Sequence, residues 1–148
     1  MRNDTNTIET LIGTGVEVNL TCSKGLTPVI YAVAVGHREI LMSLLTAGAN
    51  VNYRDRTGKT PIMYAAALGR REILITLLTA GANVNQGDRT GKTALMWASI
   101  NCQPECMQVL IDLGAGLNLR CSHGKTAYDY AKDKARRLEG ALSNKNVS

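Results

Sequence analysis

A frame of 33 residues recurs along this chain, and no other feature narrows the possible folds as much. Gly25, Gly58, Gly91 and Gly124 keep that step, as do Thr27, Thr60, Thr93 and Thr126. Gly15, Gly48, Gly81 and Gly114 repeat it, and so do Asn19, Asn52, Asn85 and Asn118. A period of this length marks a supersecondary unit copied in tandem. Such a unit is too small to shelter its own apolar side, so each copy must stack on its neighbours. The expected fold class is an all-α repeat solenoid.

The segment from Arg54 to Val84 shows what one unit contains. Thr60 and Pro61 read as the N-cap and first position of a helix, with the threonine hydroxyl accepting a free amide and proline presetting the backbone. Ala65, Ala66 and Ala67 keep the inner side of that helix thin, and Gly69 can adopt the positive φ that ends it. Ile73, Leu74, Leu77 and Leu78 then fall on one broad face of a second helix, which Gly81 closes. Asn83 to Gly91 is rich in turn residues and predicts a tight hairpin-like projection into the next threonine.

The strings T-P-I-M-Y-A-A-A-L-G and L-L-T-A-G-A-N-V-N resemble the ankyrin repeat, a turn plus two antiparallel helices stacked side by side. The resemblance covers nearly the whole chain. It departs from the family where histidine usually follows T-P-L: Ile30, Met63, Met96 and Asp129 stand there, which predicts apolar packing in place of the usual side-chain hydrogen bonds.

In this register residues 1–21 hold only the second half of a unit, with Thr5 to Ile12 as its helix. It is either an N-terminal cap or the remnant of a longer array. Complete units are expected at 22–54, 55–87 and 88–120 within a single domain spanning 1–148. In the third, Asn101-Cys102-Gln103-Pro104 lacks the turn glycine, and an altered turn is expected. The unit from Cys121 loses its apolar second-helix face to Lys132, Asp133, Lys134, Arg136, Arg137 and Glu139, as a terminal cap would. It should stay helical to about Leu142, packing Leu138 and Leu142.

Several kinds of chemistry are discounted. Gly-Lys-Thr occurs three times, at 58–60, 91–93 and 124–126, but the glycine that a phosphate-binding loop needs further upstream is replaced by Tyr53, Gln86 and Leu119. His37 and His123 have no Ser, Cys or carboxylate partner in register, so no catalytic set converges and the chain reads as a non-enzyme. Cys22 and Cys121 lie three repeats apart, too far for a disulfide at about 10 Å per packed layer. Cys106 takes a core position and Cys102 a turn glycine's place. No metal site and no cofactor is expected, and free thiols favour a reducing, cytoplasmic setting. No apolar run suits a bilayer. Asp55 and Asp88 read as turn-closing residues. Tyr31, Tyr64, Trp97 and Tyr130 form an aromatic ladder that reads as packing between repeats.

The resemblance implies a partner protein or peptide on the concave side, made by the hairpin tips and the ends of the first helices. By register the implied positions are Lys24, Leu26 and Val35; Arg56, Lys59 and Leu68; Arg89, Lys92, Ile100 and Asn101; and His123 with Lys125. The four tips hold eight basic residues (Lys24, Arg54, Arg56, Lys59, Arg89, Lys92, Arg120, Lys125) and two acids (Asp55, Asp88), against a whole-chain net charge of +5. Positive charge is therefore concentrated along one edge. With Val35, Leu68 and Ile100 read as an apolar row beside it, the surface suits a monomer that grips an extended or helical segment with apolar anchors and acidic flanks. The alternatives are nucleic acid or polyphosphate on the basic tips, or a regulatory or targeting module of a larger enzyme.

Overall fold

The computed structural model describes residues 19–145. The helix expected over Thr5 to Ile12 lies outside them. Seven helices follow in order: α1 Pro28–Val35, α2 Arg38–Thr46, α3 Pro61–Ala67, α4 Arg71–Thr79, α5 Ala94–Ile100, α6 Pro104–Asp112 and α7 Ala127–Lys145. No strand occurs among the described residues. The first helices α1, α3, α5 and α7 pack side by side, and α2, α4 and α6 form a second row behind them. The chain is an all-α repeat solenoid.

Local chemistry explains where each first helix begins. Thr27 and Thr93 accept the amides of Ile30 and Met96 on their hydroxyls at 3.3 and 3.4 Å. The same bond expected at Thr60 is absent: its hydroxyl is buried without a partner, because the Met63 amide is taken by the Thr60 carbonyl at 3.1 Å. In the last repeat the Thr126 hydroxyl again accepts the amide three residues on, that of Asp129 at 3.3 Å, and Asp129 returns the bond by accepting the Thr126 amide at 2.9 Å and hydroxyl at 3.0 Å. Ile30, Met63 and Met96, in the corresponding positions, are buried, so packing does replace polar contacts there.

Leu41, Leu44, Leu74, Leu77 and Leu110 fill the core between the two helix rows, with Ile62, Leu95 and the thin Ala65, Ala66 and Ala98 on the first-helix side. Each buried leucine contributes enough that truncation to alanine costs about 2–5 kcal/mol. Asparagines tie the repeats together at their backs. Asn52 accepts the Asn83 amide at 2.8 Å and donates to the Gly81 carbonyl at 3.3 Å. Asn85 accepts from Gly116 at 2.7 Å and donates to Gly114 at 3.4 Å. The asparagine step read in the sequence is thus a cross-repeat ladder that satisfies backbone groups left open between helices.

Two expectations for the C-terminal part are corrected. The turn at Cys102 is not altered: Cys102 itself takes φ 54°, beside φ 79° at Gly36 and 70° at Gly69. The Gln103 amide reaches the Ala98 carbonyl as the Arg70 amide reaches that of Ala65, at 2.9 Å in both. A side chain is tolerated there for a spatial reason. A Cβ on Gly36 or Gly69 would strike Arg70 or Gln103 of the following repeat, whereas Cys102 is exposed. The last unit stays helical past Leu142 as expected, but as one continuous 19-residue helix without a turn where its second helix would begin. Ala135 stands where the other units have a turn residue, so nothing breaks α7, and Leu138 and Leu142 are exposed rather than packed.

Candidate functional site

Each tip is closed by the residue 33 positions from its neighbour's. The Asp55 carboxylate accepts the Thr57 amide at 2.8 Å, the Thr57 hydroxyl at 2.6 Å and the Lys59 amide at 3.0 Å. Asp88 repeats this with Thr90 and Lys92 at 2.8, 2.7 and 3.0 Å. The turn-closing role is present, and a further partner was missed in the sequence. The Tyr64 hydroxyl donates to Asp55, and the Trp97 indole donates to Asp88 at 3.1 Å. The signal was an aromatic nine residues after the slot, in every unit. Burial alone would raise both carboxyls, but the donated hydrogen bonds outweigh it and hold each below the usual carboxylate range.

In the fourth tip the slot holds Cys121. Its Sγ lies 3.1 Å from the Tyr130 hydroxyl and 4.0 Å from His123 Nδ1, so His123 does have a neighbouring cysteine, which two positions of separation on a tight turn bring together. Burial pushes this thiol up, while the Tyr130 hydroxyl, the His123 and Lys125 amides and the His123 ring pull it down more strongly, to about 7. His37 has a local role, its Nδ1 accepting the Ile40 amide at 3.4 Å. Neighbouring tips are also joined directly, from the Arg89 amide to the Thr57 carbonyl at 3.1 Å and from Ser122 to Thr90 at 2.8 Å.

With both tip acids spent on internal bonds, the cations divide into two kinds. Arg54 and Arg120 are tied back, to the Gly58 and Gly87 carbonyls and to that of Gly124. Lys59 lies over the Trp97 ring at 4.1 Å from its centroid, Lys92 at 5.4 Å from it, and Lys125 lies 5.5 Å from Tyr130. Lys125 also pairs with Asp133 at 2.6 Å. Lys24, Arg56 and Arg89 are exposed, with no side-chain hydrogen bond or ion pair among the described residues.

The first-helix ends carry the apolar positions. Val35 and Leu68 are each 47% exposed and occupy equivalent places. Ile100 does not extend that row. It stands one position earlier, in register with Ala67, and lines a small cavity with Lys125, Tyr130, Asp133, Lys134 and Arg137. The third place belongs to Asn101, whose amide donates to the Trp97 carbonyl at 3.0 Å. Leu26 is half-buried in a separate shallow cleft with Leu20, Pro28 and Tyr31. The structure therefore gathers Lys59, Lys92 and Trp97 in one group, and Ile100 with Lys125 in another. Leu26 belongs to neither, and Lys134 and Arg137 join the second group from α7.

Among the described residues no cluster of three or more His, Cys, Asp or Glu converges as a metal site would, and no helix is long and apolar enough to cross a membrane. Comparison with protein families gives two matches: the model described as ankyrin repeats (3 copies) covers residues 1–88, and that described as ankyrin repeats (many copies) covers residues 77–131. Comparison with curated proteins gives no match.

Proposed function

The chain belongs to the ankyrin-repeat family, whose repeats are generally non-catalytic protein–protein interaction modules, and on that premise we propose that its tips and first-helix ends bind an extended or helical peptide with apolar anchors and acidic flanks. One observation carries this reading. Val35 and Leu68 stay half exposed in equivalent positions while Arg56 and Arg89 stand unpaired on the adjacent tips. Exposed aliphatic groups at the end of an otherwise well-buried helix are a feature of binding surfaces, and a cationic rim steers acidic partners toward them. Nucleic acid is the weaker reading, because stacking platforms need open rings and Lys59 already covers Trp97.

The test is selection from a displayed library of random peptides, repeated with the double variant Leu68→Asp, Arg89→Glu. Arg89 is a better choice than Lys92 because Lys92 also packs toward Trp97. Enrichment of leucine or isoleucine with glutamate or aspartate is expected, and the selected peptides should bind the double variant at least tenfold more weakly with an unchanged melting transition. Basic or unbiased selected sequences, or equal binding by the variant, would remove the reading.

A further inference from the structure

Followed across the repeats, the first-helix end position changes character in one direction. It is Val35, then Leu68, then Asn101, then Lys134: two apolar groups, an amide and a cation. At the cationic end lies the small cavity between α5, the fourth tip and α7, with a volume near 190 Å³. That is below the roughly 300 Å³ at which ligand pockets usually begin, and it suits a single side chain rather than a cofactor. Ile100 and Tyr130 line it together with Lys125, Lys134 and Arg137. A single carboxylate, Asp133, stands among the three cations, with its Oδ2 on Lys125 Nζ at 2.6 Å.

We propose that this cavity is a subsite for one acidic side chain of the docked peptide, and that Asp133 occupies Lys125 in the free protein as an internal stand-in for that carboxylate. The proposal rests on the peptide-binding reading above and adds to it a place and a spacing. Helix layers lie about 10 Å apart, so the α7 wall of the subsite, where Lys134 and Arg137 stand, is two layers, or about 20 Å, beyond Leu68. An extended chain of polyproline II type, with three residues per turn and a rise of about 3.1 Å each, covers that span in about six residues and turns every third side chain to the same face. The apolar anchors over Val35 and Leu68, one layer apart, are then about three residues apart. Lys134 and Arg137 meet the incoming carboxylate, and the apolar walls of Ile100 and Tyr130 take its methylene stem.

The probe is a synthetic peptide with two leucines three residues apart and a glutamate six residues beyond the second, on a serine and glycine background, made in both chain orders. A matched peptide carries glutamine for the glutamate. Binding is read by fluorescence anisotropy at low salt against wild type, Asp133→Asn and Arg137→Glu. Asp133→Asn releases Lys125 from a half-exposed pair and should tighten the glutamate peptide about two- to fivefold, leaving the glutamine peptide unchanged. Arg137→Glu should weaken the glutamate peptide alone, by a similar factor or more. Equal responses of the two peptides to both substitutions, with binding retained, would overturn the subsite and leave the peptide-binding face standing. Failure of both peptides to bind wild type would overturn the subsite and the peptide-binding face together.

Discussion

A carboxylate that closes a turn and also anchors a ring links two parts of a repeat through one side chain. Asp88 does this for the third tip, and Asp88→Ala would leave the Thr90 and Lys92 amides and the Trp97 indole without their acceptor. The expected loss in a urea titration is about 1.5–3 kcal/mol. Because the folded-state pKa lies below the ordinary aspartate value of 3.8, the contribution is fully present above that pH and is lost as pH falls through the depressed value. The gap between wild type and variant should therefore close in acid; a gap that persists there would mean that the carboxylate's charge is not what stabilises the tip. Cys121 offers the reverse experiment. Cys121→Asp supplies an acceptor for amides and a hydroxyl already in place, and should raise the melting temperature by about 2–4 °C. Wild-type stability should also grow between pH about 7 and 9.0, since the thiol is more acidic folded than unfolded, and this slope should vanish in the aspartate variant. The aspartates' turn role was legible from residue type, but their bonds to Tyr64 and Trp97 were marked only by the nine-residue spacing. Those bonds join a tip to a helix, and spacing alone does not show which way a ring points.

At the scale of elements, a repeat's turn is constrained by the repeat that follows it. Gly36 and Gly69 face Arg70 and Gln103, while Cys102 is exposed, beside an α7 that runs on without a turn into a second helix. Cys102→Gly should relieve a left-handed residue of about 1–2 kcal/mol of strain. Part of this is offset by the flexibility glycine adds to the unfolded chain, leaving a gain of about 0.5–1 kcal/mol in thermal or urea unfolding. A loss of stability would show that the cysteine side chain makes a contribution of its own. Helix starts were readable from Thr27 and Thr93, where a hydroxyl competes locally for an amide. At Thr60 a backbone carbonyl takes that amide instead, a choice that no residue type encodes. The continuity of α7 follows from Ala135 in a turn position, a signal present in the sequence but outweighed there by the expectation of a helix pair.

For the whole molecule, the period set the architecture because stacking is the one arrangement in which every unit buries Leu74-like and Ile62-like positions on both sides. The candidate surface was less legible. Charge counts located the tips, but which cations are spent on carbonyls, rings or Asp133 depends on contacts between repeats, and Ile100 proved to belong to a cavity rather than to the row of Val35 and Leu68. The proposed occupant of this face is an acidic, apolar-anchored peptide. Backbone amide chemical shifts, followed while the leucine and glutamate peptide is titrated in, test it most directly. The prediction is that perturbations gather at the ends of α1, α3 and α5, on the tips from Lys24 to Lys125 and at Lys134 and Arg137. Perturbations centred instead on the opposite cleft of Met42, Leu45, Ile75 and Thr79, or none at saturating peptide, would contradict it.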